Sequence, residues 1–119
     1  MRNLIAVLML AAGLTAMPAH ATFYTGNHLA KYCAKDASSF LDGGCTGYIM
    51  GVAERLEYDH MVEYGTECMP DSATIGQVRK VFVAYLDDNP TQLHNGAHYL
   101  IYNALIEGFG CEDGLSYPF

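Results

Sequence analysis

Tryptophan is absent from this 119-residue chain, and basic residues are scarce, six Lys and Arg against thirteen Asp and Glu. With Arg2 set aside in an expected leader, Lys31, Lys35, Arg55, Arg79 and Lys80 face all thirteen acids, a net charge of about −8. That balance repels phosphates, so nucleic acid and anionic membrane surfaces are poor partners, whereas a basic protein would be drawn in. Beyond the leader no apolar run approaches the roughly 20 residues needed to cross a bilayer. Motifs that carry chemistry are missing too. There is no Gly-x-Ser-x-Gly elbow, no phosphate-cradling glycine loop, no Cys-x-x-Cys-His haem attachment and no His-Glu-x-x-His pair. Repeats, low-complexity segments and strand patterns are likewise lacking. The expectation is a protein that is not an enzyme and holds no cofactor or metal.

What is present begins with Arg2, an apolar run from Leu4 to Met17, and Ala19-His20-Ala21, the form of a signal-peptidase site. Cleavage after Ala21 would leave a single domain, residues 22–119, in the periplasm. The first cysteine is Cys33, so none directly follows the leader to accept a lipid anchor. All four cysteines lie in the mature part. An even number in an exported chain points to two disulfides rather than to a metal site or a thiolate nucleophile. A domain of this size has a modest core, which such staples support.

Four helices are expected. Leu29, Tyr32, Cys33, Ala37 and Phe40 form the apolar stripe of the first, with Asn27 as N-cap and Asp42-Gly43-Gly44 as its stop. The second runs from Cys45 to about Tyr58 and organises the chain, with Cys45, Tyr48, Ile49, Val52 and Leu56 at helical spacing. Gly47 and Gly51 lower helix propensity by about 1 kcal/mol each, so they are expected, with Tyr48, at a close helix contact. After an irregular stretch from Asp59 to Ala73, Thr74-Ile75-Gly76-Gln77 is a capping box. It opens a third helix bearing Ile75, Val78, Phe82, Tyr85 and Leu86, which Asp87-Asp88-Asn89-Pro90 breaks. The fourth uses Ala97, Ile101, Ala104, Leu105 and Gly108 and closes at Phe109-Gly110-Cys111. In the aperiodic tail, Leu115, Tyr117 and Phe119 are candidates to dock on the core.

This is an all-α, disulfide-stapled bundle, and short connections make neighbouring helices antiparallel. With the first helix running up, Cys33 and Cys45 meet at the top and Cys68 and Cys111 at the bottom. A Cys45–Cys68 bridge would instead bring together the two ends of a helix about 20 Å long, whereas bridged Cα atoms lie about 4.4–6.8 Å apart. The expected pairs are Cys33–Cys45 and Cys68–Cys111.

Candidate sites are few. His94 and His98 at i, i+4 are two metal-ligand types on one helical face, lacking a third. Glu57, His60 and Glu63 resemble half of a di-iron carboxylate pattern, which needs a second copy. Nine tyrosines suit an interface, and Tyr24, Tyr58, Tyr64, Tyr99 and Tyr102 lie at the edges of the apolar stripes. The polar loop from Asp87 to Asn95 projects from a helix pair; a loop of this kind can plug a cleft, and the alternative is an ordinary turn. Asp87, Asp88, Asn89 and His94 are its candidate partner contacts.

Taken as a set, the leader, Tyr24-Thr25-Gly26-Asn27-x-Leu29 before Cys33, Cys45-x-Gly47-Tyr48-Ile49-x-Gly51-Val52, and Cys68-Met69-Pro70 resemble the Rap/Tai family. Thr74-x-x-Gln77, Tyr85-Leu86-x-x-Asn89-Pro90 and Ala104-Leu105-x-x-x-Phe109-x-Cys111 extend the likeness over most of residues 24–111. These are immunity proteins against peptidoglycan amidase toxins of bacterial type VI secretion. The resemblance implies a helical, disulfide-bonded periplasmic protein, often a homodimer, that binds a cysteine amidase and occludes its active cleft. The matching residues are scaffold, so it assigns no contact residue. Gly110 stands where the family pattern leads one to expect proline, which is expected to loosen the helix end. Two other readings are an acid-stress chaperone of the HdeA-like kind, whose carboxylates discharge as pH falls, and a carrier of a small apolar ligand.

Overall fold

The computed structural model describes residues 22–111. The expected leader and the tail residues Leu115, Tyr117 and Phe119 therefore lie outside the described residues. Within them are four helices and no strand: α1 Gly26–Tyr32, α2 Ser39–Tyr64, α3 Ile75–Asp88 and α4 Ala97–Phe109, with a 3-10 turn at Pro90–Gln92. Both expected bridges are formed, Cys33–Cys45 and Cys68–Cys111, with Cα atoms 5.2 and 5.1 Å apart.

The capping box at α3 forms as its sequence dictates. Thr74 Oγ1 accepts the Gln77 N–H at 3.2 Å, and Gln77 Oε1 accepts the Thr74 N–H at 2.8 Å. At the end of α4, Gly110 takes the left-handed conformation (φ 70°), and the Gly110 and Cys111 N–H groups both donate to the Ile106 carbonyl. Far from loosening the helix end, this glycine closes it in a Schellman turn that aims Cys111 at Cys68.

The first half of the chain departs most from the expected boundaries. Thr25 rather than Asn27 caps α1, which stops at Tyr32. Ser38 then starts α2, its hydroxyl accepting the Leu41 N–H, and the helix runs on through Asp42-Gly43-Gly44. Tertiary contacts outweigh the poor helix propensity of that glycine pair. Arg79 of α3 donates to Asp42 at 2.7 Å and Thr46 at 2.9 Å, while the Cys45 bridge fixes the same turn. Phe40 consequently belongs to α2 and is 83% exposed.

Leu29, Ile49, Leu56, Phe82, Leu100 and Leu105, drawn from all four helices, are fully buried. Each such side chain contributes about 1.5–3 kcal/mol. α3 and α4 pack as an antiparallel pair, and α2 lies across both, its early turns at Arg79 of α3 and its later ones at Tyr102 of α4. The orientation of α1 differs from the expected one. Its N-terminus sits against the α3–α4 loop, because Gly26 and Asn27 N–H donate to the Asn95 and Leu93 carbonyls at 3.0 and 2.8 Å.

Gly47 and Gly51 do not mediate packing inside the chain. Both are exposed, and a Cβ added at either would meet nothing within 4 Å. Other glycines do sit at close contacts: at Gly26 a Cβ would lie 3.0 Å from the Leu93 backbone, at Gly44 it would lie 3.2 Å from the Tyr32 ring, and Gly96 and Gly108 are similarly crowded, Gly108 by Val81 of α3. Tyr48 does pack. Its ring meets that of Tyr24 edge-on at 5.5 Å, Tyr24 meets Tyr32 at 5.6 Å, and burial raises the Tyr48 pKa.

Candidate partner-binding site

The α3–α4 loop is a braced structure. Asn89, at the end of α3, turns its side chain inward, Nδ2 donating to the Tyr85 carbonyl at 2.9 Å. One of its amide hydrogens thus serves as a helix cap, and the side chain is half-buried. The Tyr85 hydroxyl donates to Gln92 at 3.1 Å across the 3-10 turn. On the far side the loop is tied to the start of α1, and the Ala97 N–H donates to the Tyr24 carbonyl at 2.8 Å. Asp87, Asp88 and His94 remain exposed on this frame. An element held from both sides can enter a cleft without a large ordering cost.

His94 precedes the Gly96 cap and so is not on α4 with His98. His98 is half-buried, its ring centroid 3.8 Å from that of Tyr99, and burial lowers its pKa. Among the described residues no three His, Cys, Asp or Glu side chains are grouped to hold a metal ion.

Glu57 and His60 have a different task from the one their spacing suggested. The Glu57 carboxylate accepts the Cys68 N–H at 2.9 Å with one oxygen and the Met69 N–H at 2.7 Å with the other. His60 is buried, and its Nδ1 lies 2.6 Å from the Thr66 carbonyl. A carbonyl only accepts, so Nδ1 carries the proton. One turn of α2 thus grips the loop that presents Cys68. The spacing of these two residues does not reveal this role, because their partners are backbone groups.

Near the same end, the buried Tyr102 hydroxyl donates to Asp59 at 2.6 Å, and Arg55 pairs with the other carboxylate oxygen at 2.8 Å. The Tyr102 hydrogen bond is the first cause holding the Asp59 pKa below its ordinary value, with Arg55 adding to it. A depressed carboxylate pKa stabilises the fold above the unfolded value of about 3.9 and ceases to do so as pH falls through the folded value. Tyr102→Phe should therefore lose about 1.5 kcal/mol at pH 7 and much less near pH 2. Urea unfolding at the two pH values measures this, and an equal loss at both would refute the linkage.

A family model described as Rap1a immunity proteins matches residues 25–111, a span that takes in all four helices and both bridges. A search of curated proteins and a search of solved structures each returned no match. Together, the family match, the helical fold and the two bridges lead to one assignment: this chain belongs to the Rap1a immunity family.

Proposed function

We propose that the protein is exported to the periplasm, binds a peptidoglycan amidase toxin delivered by type VI secretion, and silences it by inserting the α3–α4 loop into its active cleft. It is an inhibitor and not a catalyst, and it works as a homodimer. The family match carries the reading, since immunity proteins act by binding a cognate toxin. The two bridges are those of a chain that matures in an oxidising compartment. Asp87 and Asp88, exposed at the end of α3, give the loop its charge, and the acidic balance of the whole chain steers it toward a basic target.

The test is capture of periplasmic proteins from the source cell and its close competitors by the oxidised protein, followed by a cell-wall digestion assay. A stoichiometric amidase that loses activity on addition of the protein is the expected result. Replacing both Asp87 and Asp88 by lysine should slow association about tenfold while leaving the fold intact, and raising salt should slow the unchanged protein. Association indifferent to salt and to both substitutions would remove the loop from the interface. Capture of scattered unfolded proteins, chiefly at low pH, would point to an acid-stress chaperone instead.

A further inference from the structure

Basic residues are few in this chain, yet three of the five within residues 22–111, Lys35, Arg79 and Lys80, line one cleft. It opens between α3 and the turn that follows α1, and its volume of about 470 Å³ falls within the roughly 300–1,000 Å³ of ligand pockets. Cys33 and Val83 add apolar lining, and Asp87 stands at one end. We propose that this cleft binds an acidic segment of a partner protein, its carboxylates held at Lys35 and Lys80 and its apolar side chains set against Val83 and Cys33. The inference goes beyond the toxin reading and stands without it.

The three cations have different tasks. Arg79 is engaged within the chain, donating to Asp42 at 2.7 Å, to Thr46 at 2.9 Å and to the Cys33 carbonyl at 3.5 Å. It ties α3 to α2 and to the end of α1, so the walls of the cleft are set before anything enters and binding requires little ordering. Lys35 and Lys80 are the free charges. Both are exposed, and among the described residues neither forms an ion pair, not even with Asp87 beside them. On a chain with thirteen acids, two unpaired ammonium groups in one cleft are available to carboxylates from outside.

Charge and length select the occupant. A nucleic acid or an anionic membrane would lie across the acidic surface around the cleft and be repelled by it. A short segment escapes that repulsion, because charges more than about 8 Å away are largely screened at physiological salt. Along α3 the cleft extends from Gly76 to Asp87, about 16 Å of helix rise, which about five residues of extended chain would span. A single small anion would occupy a fraction of that length and leave the apolar lining uncovered.

Titrating the oxidised exported protein with an end-blocked peptide of alternating glutamate and leucine, read by backbone amide NMR shifts, tests this. The shifts should cluster at Lys35, Lys80 and Val83, and the affinity should fall as salt is raised. Lys35→Glu combined with Lys80→Glu should weaken binding at least about tenfold. Asp87→Asn, which removes the opposing carboxylate, should tighten it about twofold to fivefold. Circular dichroism should show the helical content unchanged in each variant, since all three side chains are exposed. Shifts that fail to cluster, or binding undiminished in the double lysine variant, would overturn the site. A peptide with glutamine in place of glutamate that bound equally well would overturn the acidic ligand. Inorganic phosphate matching the peptide in shifts and affinity would make this a free-anion site and overturn the protein segment. Amidase capture and silencing are read in separate assays, so the two readings fail independently.

Discussion

Serine in place of both Cys68 and Cys111 should lower stability by about 4 kcal/mol, against about 3 kcal/mol for the Cys33 and Cys45 pair, because the larger loop restricts the unfolded chain more. The sequence separations are 43 and 12 residues. A domain of this size is stable by only about 5–15 kcal/mol, so either loss is a large share. Denaturant unfolding of the two double-serine proteins measures it, and pairwise replacement avoids the stray thiol that a single serine would leave. Equal losses, or a larger one for the short loop, would contradict the loop-entropy account. Protection against toxin should fall with the folded fraction, most for the Cys68 and Cys111 pair.

The two bridges also differ in what they hold. Cys33–Cys45 ties α1 to α2, and α1 braces the loop proposed to enter the toxin through Gly26 and Asn27. Cys68–Cys111 lies at the other end of α4, about 20 Å away along a 13-residue helix. Loss of the short bridge should therefore free the loop more than its stability cost suggests, and loss of the long one should leave the loop ordered until the whole domain unfolds. Amide exchange at Gly26 and Asn27, which donate to the loop, separates these outcomes.

Local chemistry explains which boundaries could be read from the sequence. Thr74 with Gln77, and the glycine before Cys111, act within one turn, so α3 and the end of α4 were legible from a few residues. The expected bridge pairs form although two of the premises behind them do not hold: Cys45 lies inside α2 rather than at its start, and α1 runs the other way. The break expected at Gly43-Gly44 failed because Arg79, some thirty-five residues further on, holds Asp42 and Thr46 and overrides local propensity. Glycine inside a helix needs a reason, which makes packing the expectation for Gly47 and Gly51, yet no group of the described chain approaches either. On the loop, the polar character of Asp87 and Asp88 was a sound sign of exposure. Asn89 was not, because an amide at a helix end has backbone groups to satisfy.

Glu57→Ala should cost about 2–3 kcal/mol, more than its half-exposed position would suggest, because both carboxylate oxygens are engaged and Cys68 is buried. Without them the Cys68 and Met69 N–H groups lose a charged acceptor, and exchange at those two amides should rise while α3 and α4 stay protected. Glu57→Gln should recover only part of the loss. It restores one accepting oxygen, but its NH₂ group then faces the other N–H. The disulfide limits the damage, since Cys68 stays anchored to Cys111 when the clamp is gone. That dependence makes the two devices non-additive. In a protein lacking the Cys68–Cys111 bridge the loop can leave α2 as a unit, and once it has left, Glu57 has nothing to hold. Glu57→Ala should then cost at least about 0.5 kcal/mol less than in the oxidised protein, a coupling that a double-mutant cycle resolves. Strict additivity would mean that clamp and bridge stabilise separate parts of the fold, and the account of Glu57 as the holder of the bridged loop would fail.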